Sequence, residues 1–248
     1  MATFSLLQNS LDQKIDRQSF EDASVVASSV ARADCHRLYR ELYGVVTSKL
    51  PRHEADALQA ELARRGFPTR VVPDAHLPPL PDAFRARRLV IESESISFTD
   101  ALGHIQTRSR AELVFAAGGF LMNQRMTHQD DIRWDVRPAG RATIKTLKPV
   151  RTMKLASFPE LRADFFFWKS PQRLQLALTA DCTIFYQGHH LRLRDTEALL
   201  ALLSDIRRLL PPERINTGLE HAASAAAYPS LTAYHEEIRW HFFHLIPK

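Results

Sequence analysis

The chain of 248 residues holds only two cysteines, Cys35 and Cys182, and no CxxC pair. A disulfide framework and a closely spaced thiolate zinc site are therefore excluded. Both thiols are expected as small buried hydrophobes in a reducing compartment. Glycine is scarce, at eight residues, with one adjacent pair, Gly118-Gly119. No GxGxxG, P-loop or GxSxG is present, so the dinucleotide fingerprint, the phosphate cradle and the nucleophile elbow are all missing. Long apolar runs are missing too. The longest, Leu113 to Met122, is broken by glycines and is too short to span a bilayer. Met1 to Lys14 lacks the apolar core and basic flank of a secretory leader. These absences predict a soluble, cytoplasmic chain without transmembrane segment, cofactor or bound metal, and favour binding over catalysis.

What is present supports a folded core. Hydrophobic residues make up 45% of the chain, which argues against global disorder. The net charge of +5 permits an anionic partner without requiring one. No internal repeat is visible.

The N-terminal third reads as a small α/β module over 20–76. Residues 1–18 are polar and weakly patterned and are expected to fray. A helix starting near Ser19 runs through Val25, Val26 and Val30 toward Leu38. Tyr43-Gly44-Val45-Val46 reads as a short buried strand. Pro51 suits a first helical turn, Ala55, Leu58 and Leu62 form an apolar stripe, and Arg64-Arg65-Gly66 ends the helix. Thr69 to Val72 is a second strand, on a sheet expected to be parallel or mixed. Pro73 to Pro81 contains four prolines and reads as a linker.

A mostly antiparallel β domain is expected over 84–212. Leu89 and Ile91, Ile96 and Phe98, and then Leu113 to Ala116 form a meander over 88–122 with short connections. Residues 123–158 show little periodicity and are expected as an irregular insert. Beyond it, Asp164 to Lys169 suits a strand, and Leu174, Leu176 and Leu178 alternate with Arg173, Gln175 and Ala177. Cys182 to Tyr186 and His190 to Arg194 are further strand candidates. Asp195 is placed to cap a helix whose Leu199, Leu202, Leu203, Ile206 and Leu210 make one stripe, stopped by Pro211-Pro212. A helical tail over 213–248 follows, with Ser230 capping Leu231, Tyr234, Ile238, Phe242 and Leu245.

The meander Arg88-Leu89-Val90-Ile91, Ile96 to Gly103 and Glu112-Leu113-Val114-Phe115 resembles the first half of bacterial pleckstrin-homology-like (PH-like) domains. That resemblance implies short strands closed by a helix, here Thr196 to Leu210. The segments Tyr43 to Val46 and Gly66 to Val72 resemble a small α/β unit of prokaryotic proteins described as signal-transducing. The whole is similar to uncharacterised bacterial proteins that combine the two parts, over residues 43–210. The expected fold class is thus α+β. No catalytic residue carries over from the resemblance.

The strongest binding candidate is the basic segment carrying Arg133, Trp134, Arg137, Arg141, Lys145, Lys148, Arg151 and Lys154. Arginine and lysine there can neutralise phosphates, and Trp134 can stack or anchor. The alternative is a solvated loop. His128, Asp130 and Asp131 are metal-ligand types, but three ligands within four loop residues rarely converge on one ion. Asp164 and Lys169 differ by an odd number, so on one strand they face opposite sides, against a nuclease-type centre. The remaining histidines read as surface or half-buried residues, and Glu236-Glu237 as a solvated helix face by default, with pairing to Arg239 or a partner as the alternative. The leading expectation is a non-catalytic interaction or regulatory protein binding a protein or anionic ligand. Nucleic-acid binding through 133–154 comes second, and a metal-dependent hydrolase or nuclease third.

Overall fold

A computed structural model describes residues 2–139, 142–224 and 227–245. The side chains of 123–126, 128–139, 142–146, 149, 150, 155, 224 and 227 lie outside the description. In chain order the elements are β1 (Phe4–Gln8), α1 (Arg17–Ser24), α2 (Cys35–Arg40), β2 (Val45–Leu50), α3 (Arg52–Arg64), β3 (Thr69–Pro73), β4 (Asp82–Ile91), β5 (Ser95–Asp100), β6 (Ile105–Ser109), β7 (Leu113–Ala139), β8 (Ala142–Phe167), β9 (Gln172–Leu178), β10 (Ile184–Tyr186), β11 (His189–Leu191), α4 (Thr196–Arg207), α5 (Thr217–Glu220), β12 (Ala227–Tyr228) and α6 (Leu231–Leu245). The fold is mixed α+β. Two compact units emerge, one of residues 1–122 with 159–248, the other of residues 123–158.

The first unit contains a three-stranded sheet in the order β2-β1-β3. The N-terminal residues, expected to fray, supply its central strand. Leu6 packs with Phe20, Leu58 and Leu62, while Leu7 packs with Val45, Val72 and Phe243. A strand buried on both faces shows no polar alternation, which is why its signal was weak. β2 and β3 each pair antiparallel with β1. The expected strand-helix-strand unit is present, but its two strands are not neighbours and the sheet is antiparallel.

The helix expected from Ser19 toward Leu38 is broken. Asp16 caps α1 by accepting from the Ser19 N–H at 2.9 Å. After Val25 the chain turns, and Glu54 of α3 accepts from Ser28 Oγ at 2.6 Å and the Ser29 N–H at 3.0 Å. A carboxylate that satisfies the loop backbone replaces the helical bonds at that point.

The larger sheet runs β11-β10-β4-β9-β8-β7-β12, with β5 added to β4 and β6 to β5. It is open and mostly antiparallel. The meander β4-β5-β6 is antiparallel as expected, while β9 and β10 pair parallel with β4 and β12 pairs parallel with β7. The alternation at Leu174, Leu176 and Leu178 holds, and all three are buried. The leucine stripe of α4 joins them in one core with Phe98 and Phe165, whose rings meet edge-on at 4.9 Å. Asp195 precedes α4 without capping it. Its carboxylate accepts from the Arg192 N–H at 2.7 Å instead.

α6 packs against both sheets. Ser230 Oγ accepts from the Ala233 N–H at 3.1 Å, the expected cap. Tyr234 and Ile238 pack with Phe115, Leu121 and Phe166, while Phe243 and Trp240 meet Leu7, Val45 and Val72. Trp240 Nε1 donates to the Gln8 carbonyl at 2.6 Å. Gly44 makes this approach possible: φ is +83°, and a Cβ there would stand 2.5 Å from Trp240 Cβ.

In the second unit, residues 123–139 and 142–158 are strand, the continuations of β7 and β8. The described residues of the segment expected as an irregular insert are regular strand backbone. Thr127 Oγ1 donates to the Lys154 carbonyl at 3.2 Å across it. Arg151 and Met153 of one alternation are exposed, and so are Lys148 and Lys154 of the other. With no buried face described there, no hydrophobic alternation marks the strand. Among the described residues, no helix is long and apolar enough to cross a membrane.

Candidate functional site: an arginine-lined cavity beside the last helix

The parallel pairing of β4 with β9 sets Asp82 against Gln172 and Ala83 against Arg173. Arg85 follows on β4, and the segment Leu77 to Pro81 leads into it. The facing wall is α6, which supplies His235, Glu236 and Arg239. These groups line a cavity of about 750 Å³ in the first unit.

Arg173 is buried, at 9% exposure. Its Nε lies 3.0 Å from Asp164 Oδ1, yet the N–H is not aligned for a hydrogen bond and Nε is unsatisfied. The contact is an ion pair by distance only. Asp164, on β8, is fully buried and takes its aligned bonds from Gln175 Nε2 at 2.8 Å and the Tyr234 hydroxyl at 2.9 Å. Burial pushes its carboxyl upward, while Arg173 and the two donors pull the other way.

Arg239 donates through Nη1 to both oxygens of Glu236, at 2.8 and 3.0 Å. Its Nε is buried and unpartnered, and so is Nε2 of His235. Burial pulls the His235 imidazole down to about 4, and the charges of Arg173, Arg162 and Arg239 add to that. The ring is neutral at pH 7. Burial also pushes the Glu236 carboxyl up, against the pull of Arg239. Three guanidinium groups thus line the cavity with two acids, Asp82 and Glu236. The unpartnered Nε atoms of Arg173 and Arg239 and Nε2 of His235 are themselves buried, so an anion placed there meets the charge of the three guanidinium groups rather than those atoms, beside a neutral ring that it can help to protonate.

No family model, curated protein or solved structure matches the chain. The chemistry of the cavity therefore rests on its own residues. No hydroxyl or thiol lines it as a nucleophile, and among the described residues no three His, Cys, Asp or Glu side chains gather as metal ligands. Recognition of an anion is what the arrangement can do.

The residues expected from the sequence lie elsewhere. Arg133, Trp134 and Arg137 fall on β7, and Lys145, Lys148, Arg151 and Lys154 on β8. Arg141 lies outside the described residues, as do the side chains of Arg133, Trp134, Arg137 and Lys145 and those of His128, Asp130 and Asp131. Lys148, Arg151 and Lys154 are exposed. Lys148 and Lys154 fall on one face of the strand and Arg151 on the other.

Sequence reasoning missed the cavity in three places. The Pro73 to Pro81 segment was read as a linker, yet Leu77, Pro79, Leu80 and Pro81 form a wall. His235 was one of several scattered histidines. Glu236 and Glu237 were read by default as a solvated face; the alternative pairing with Arg239 is present at Glu236, while Glu237 is fully buried. It belongs to a second polar cluster, where the Tyr228 hydroxyl donates to Glu237 Oε2 and the Thr217 N–H to Oε1 at 2.6 Å. Asn216 Nδ2 donates to the Tyr228 hydroxyl at 2.7 Å, and Asn216 Oδ1 accepts from the Gly118 N–H at 2.8 Å. These four side-chain bonds close on one another, so the cluster stitches α5, α6 and β7 together. In the sequence Arg173 stands at the outward position of an alternating strand, opposite the leucines, so nothing local marked the cavity.

Proposed function

We propose that the chain is a non-catalytic binding protein that holds an anionic ligand in the cavity of Arg85, Arg173, Arg239 and His235. Arg173 carries this reading. A buried guanidinium is costly unless its donors are bonded, and this one has a single unaligned contact, with Asp164. An anion in the cavity would add charge compensation to the three guanidinium groups that line it with only two acids.

The segment from β4 to α4 supports a PH-like assignment in two respects: successive short strands precede a helix, and the stripe of that helix shares their core. The parallel pairings of β4 and the length of β7 and β8 depart from that pattern. Nucleic-acid binding through residues 133–154 keeps one supporting observation, the exposure of Lys148, Arg151 and Lys154. It expects a salt-sensitive shift with DNA or RNA, and no binding at low salt would sink it.

Calorimetric titration of the full chain with inorganic sulfate tests the anion reading. Saturable one-to-one binding is expected, weakened about threefold by Arg85→Ala, which is exposed, and about tenfold by Arg239→Gln. Absence of binding at low ionic strength would overturn it.

A further inference from the structure

The arginine cavity shares Pro79 and Pro81 with a second cavity, of about 520 Å³. This neighbour is lined by Phe166, Trp168, Phe242 and Leu245, with Pro78 on its rim. Trp168 is 65% exposed despite its size, set in the turn after β8 where Lys169 takes φ 57°. A large aromatic left in solvent beside an apolar hollow marks a contact surface.

α6 links the two hollows. His235, Arg239, Phe242 and Leu245 recur at spacings of four, three and three, so they fall along one side of the helix. His235 and Arg239 line the charged cavity, Phe242 and Leu245 the apolar one. Over ten residues, about 15 Å at the rise of an α-helix, this side passes from cationic to apolar. The proline segment faces it along the same course, contributing Pro79 and Pro81 to both cavities.

We propose that the two cavities form one trough for a single-chain amphiphilic anion of the long-chain carboxylate class. The head lies among Arg85, Arg173 and Arg239, and the chain runs over the Pro79-Pro81 ridge onto Phe242, Phe166 and Trp168. One occupant then meets the demands of both ends: the guanidinium groups lining the charged cavity face the carboxylate, and the exposed Trp168 is covered by the chain. This rests on the anion reading above and adds the tail.

The test compares dodecanoate, acetate and dodecanol by calorimetric titration of the full chain, below the micellar concentration. Each methylene buried on the aromatics is worth about fourfold in affinity. Dodecanoate is therefore expected to bind at least about tenfold more tightly than acetate, and more tightly than dodecanol. Trp168→Ala is expected to weaken dodecanoate and leave acetate unchanged, while Arg85→Ala weakens both. If acetate binds as well as dodecanoate, the tail is overturned and the anion site stands. If dodecanol binds as well as dodecanoate, or neither variant alters dodecanoate binding, the trough is overturned. If sulfate, acetate and dodecanoate all fail to bind, the anion site falls with it.

Discussion

Asp164 has no contact with solvent, and three side chains from two elements converge on it: Arg173 and Gln175 of β9 and Tyr234 of α6. Removing one donor leaves a buried carboxylate short of a partner. Tyr234→Phe is expected to lower stability by about 1–3 kcal/mol, read as a shift in the urea midpoint. His235 acts in the opposite sense, since its surroundings reject charge. Its ring is pulled from 6.5 to about 4 in the fold, so between those values the unfolded chain binds more protons. Stability therefore falls as pH drops from 6.5 to 4, by on the order of 2 kcal/mol after discounting for partial exposure. His235→Gln is expected to flatten that acid limb in denaturation series at successive pH values. At this scale the sequence was nearly silent. A histidine and a glutamate on a helix look the same whether they meet solvent or a cavity, because their surroundings come from residues some 150 positions away in the case of Asp82 and His235.

Elements whose apolar residues keep to one face were legible. The leucines of α4 and of β9 are buried as their spacing indicates, and the cap of α6 at Ser230 is present. β1, apolar toward both faces, and β8 around Leu147, Lys148, Arg151, Met153 and Lys154, which are exposed, carry no such alternation, and both were misread. α6 is the element on which the first unit depends. Its Trp240 ring occupies the space left by Gly44 and bonds the Gln8 carbonyl. Gly44→Ala adds a Cβ at a positive φ and against that ring. It is expected to destabilise the chain by about 2–4 kcal/mol, beyond the strain of the left-handed backbone alone, measured by thermal or urea denaturation. A Gly44→Ala chain as stable as the parent would mean that α6 is not held there.

At the level of the whole molecule, composition and pattern correctly indicated an α+β chain with a meander and a core-closing helix. They did not indicate that β4 pairs parallel with β9, and that pairing is what brings residues 82–85 beside 173. Nor did they indicate that the last helix returns to complete the site. A cavity assembled from a proline segment, two strand starts and a distant helix leaves no local motif, so the search for function went to the basic segment instead. The first unit carries the arginine cavity, and its charge balance decides what it admits. A bound anion must favour the protonated form of the imidazole beside it, so occupancy and the His235 titration are linked. Imidazole resonances of His235, assigned by their loss in His235→Gln, should be followed against pH with and without saturating inorganic sulfate, which stays anionic throughout. A midpoint near 4 in the free chain, rising by about one unit or more with sulfate, is the expected result. A midpoint that sulfate leaves unmoved would contradict an anion site at Arg85, Arg173 and Arg239.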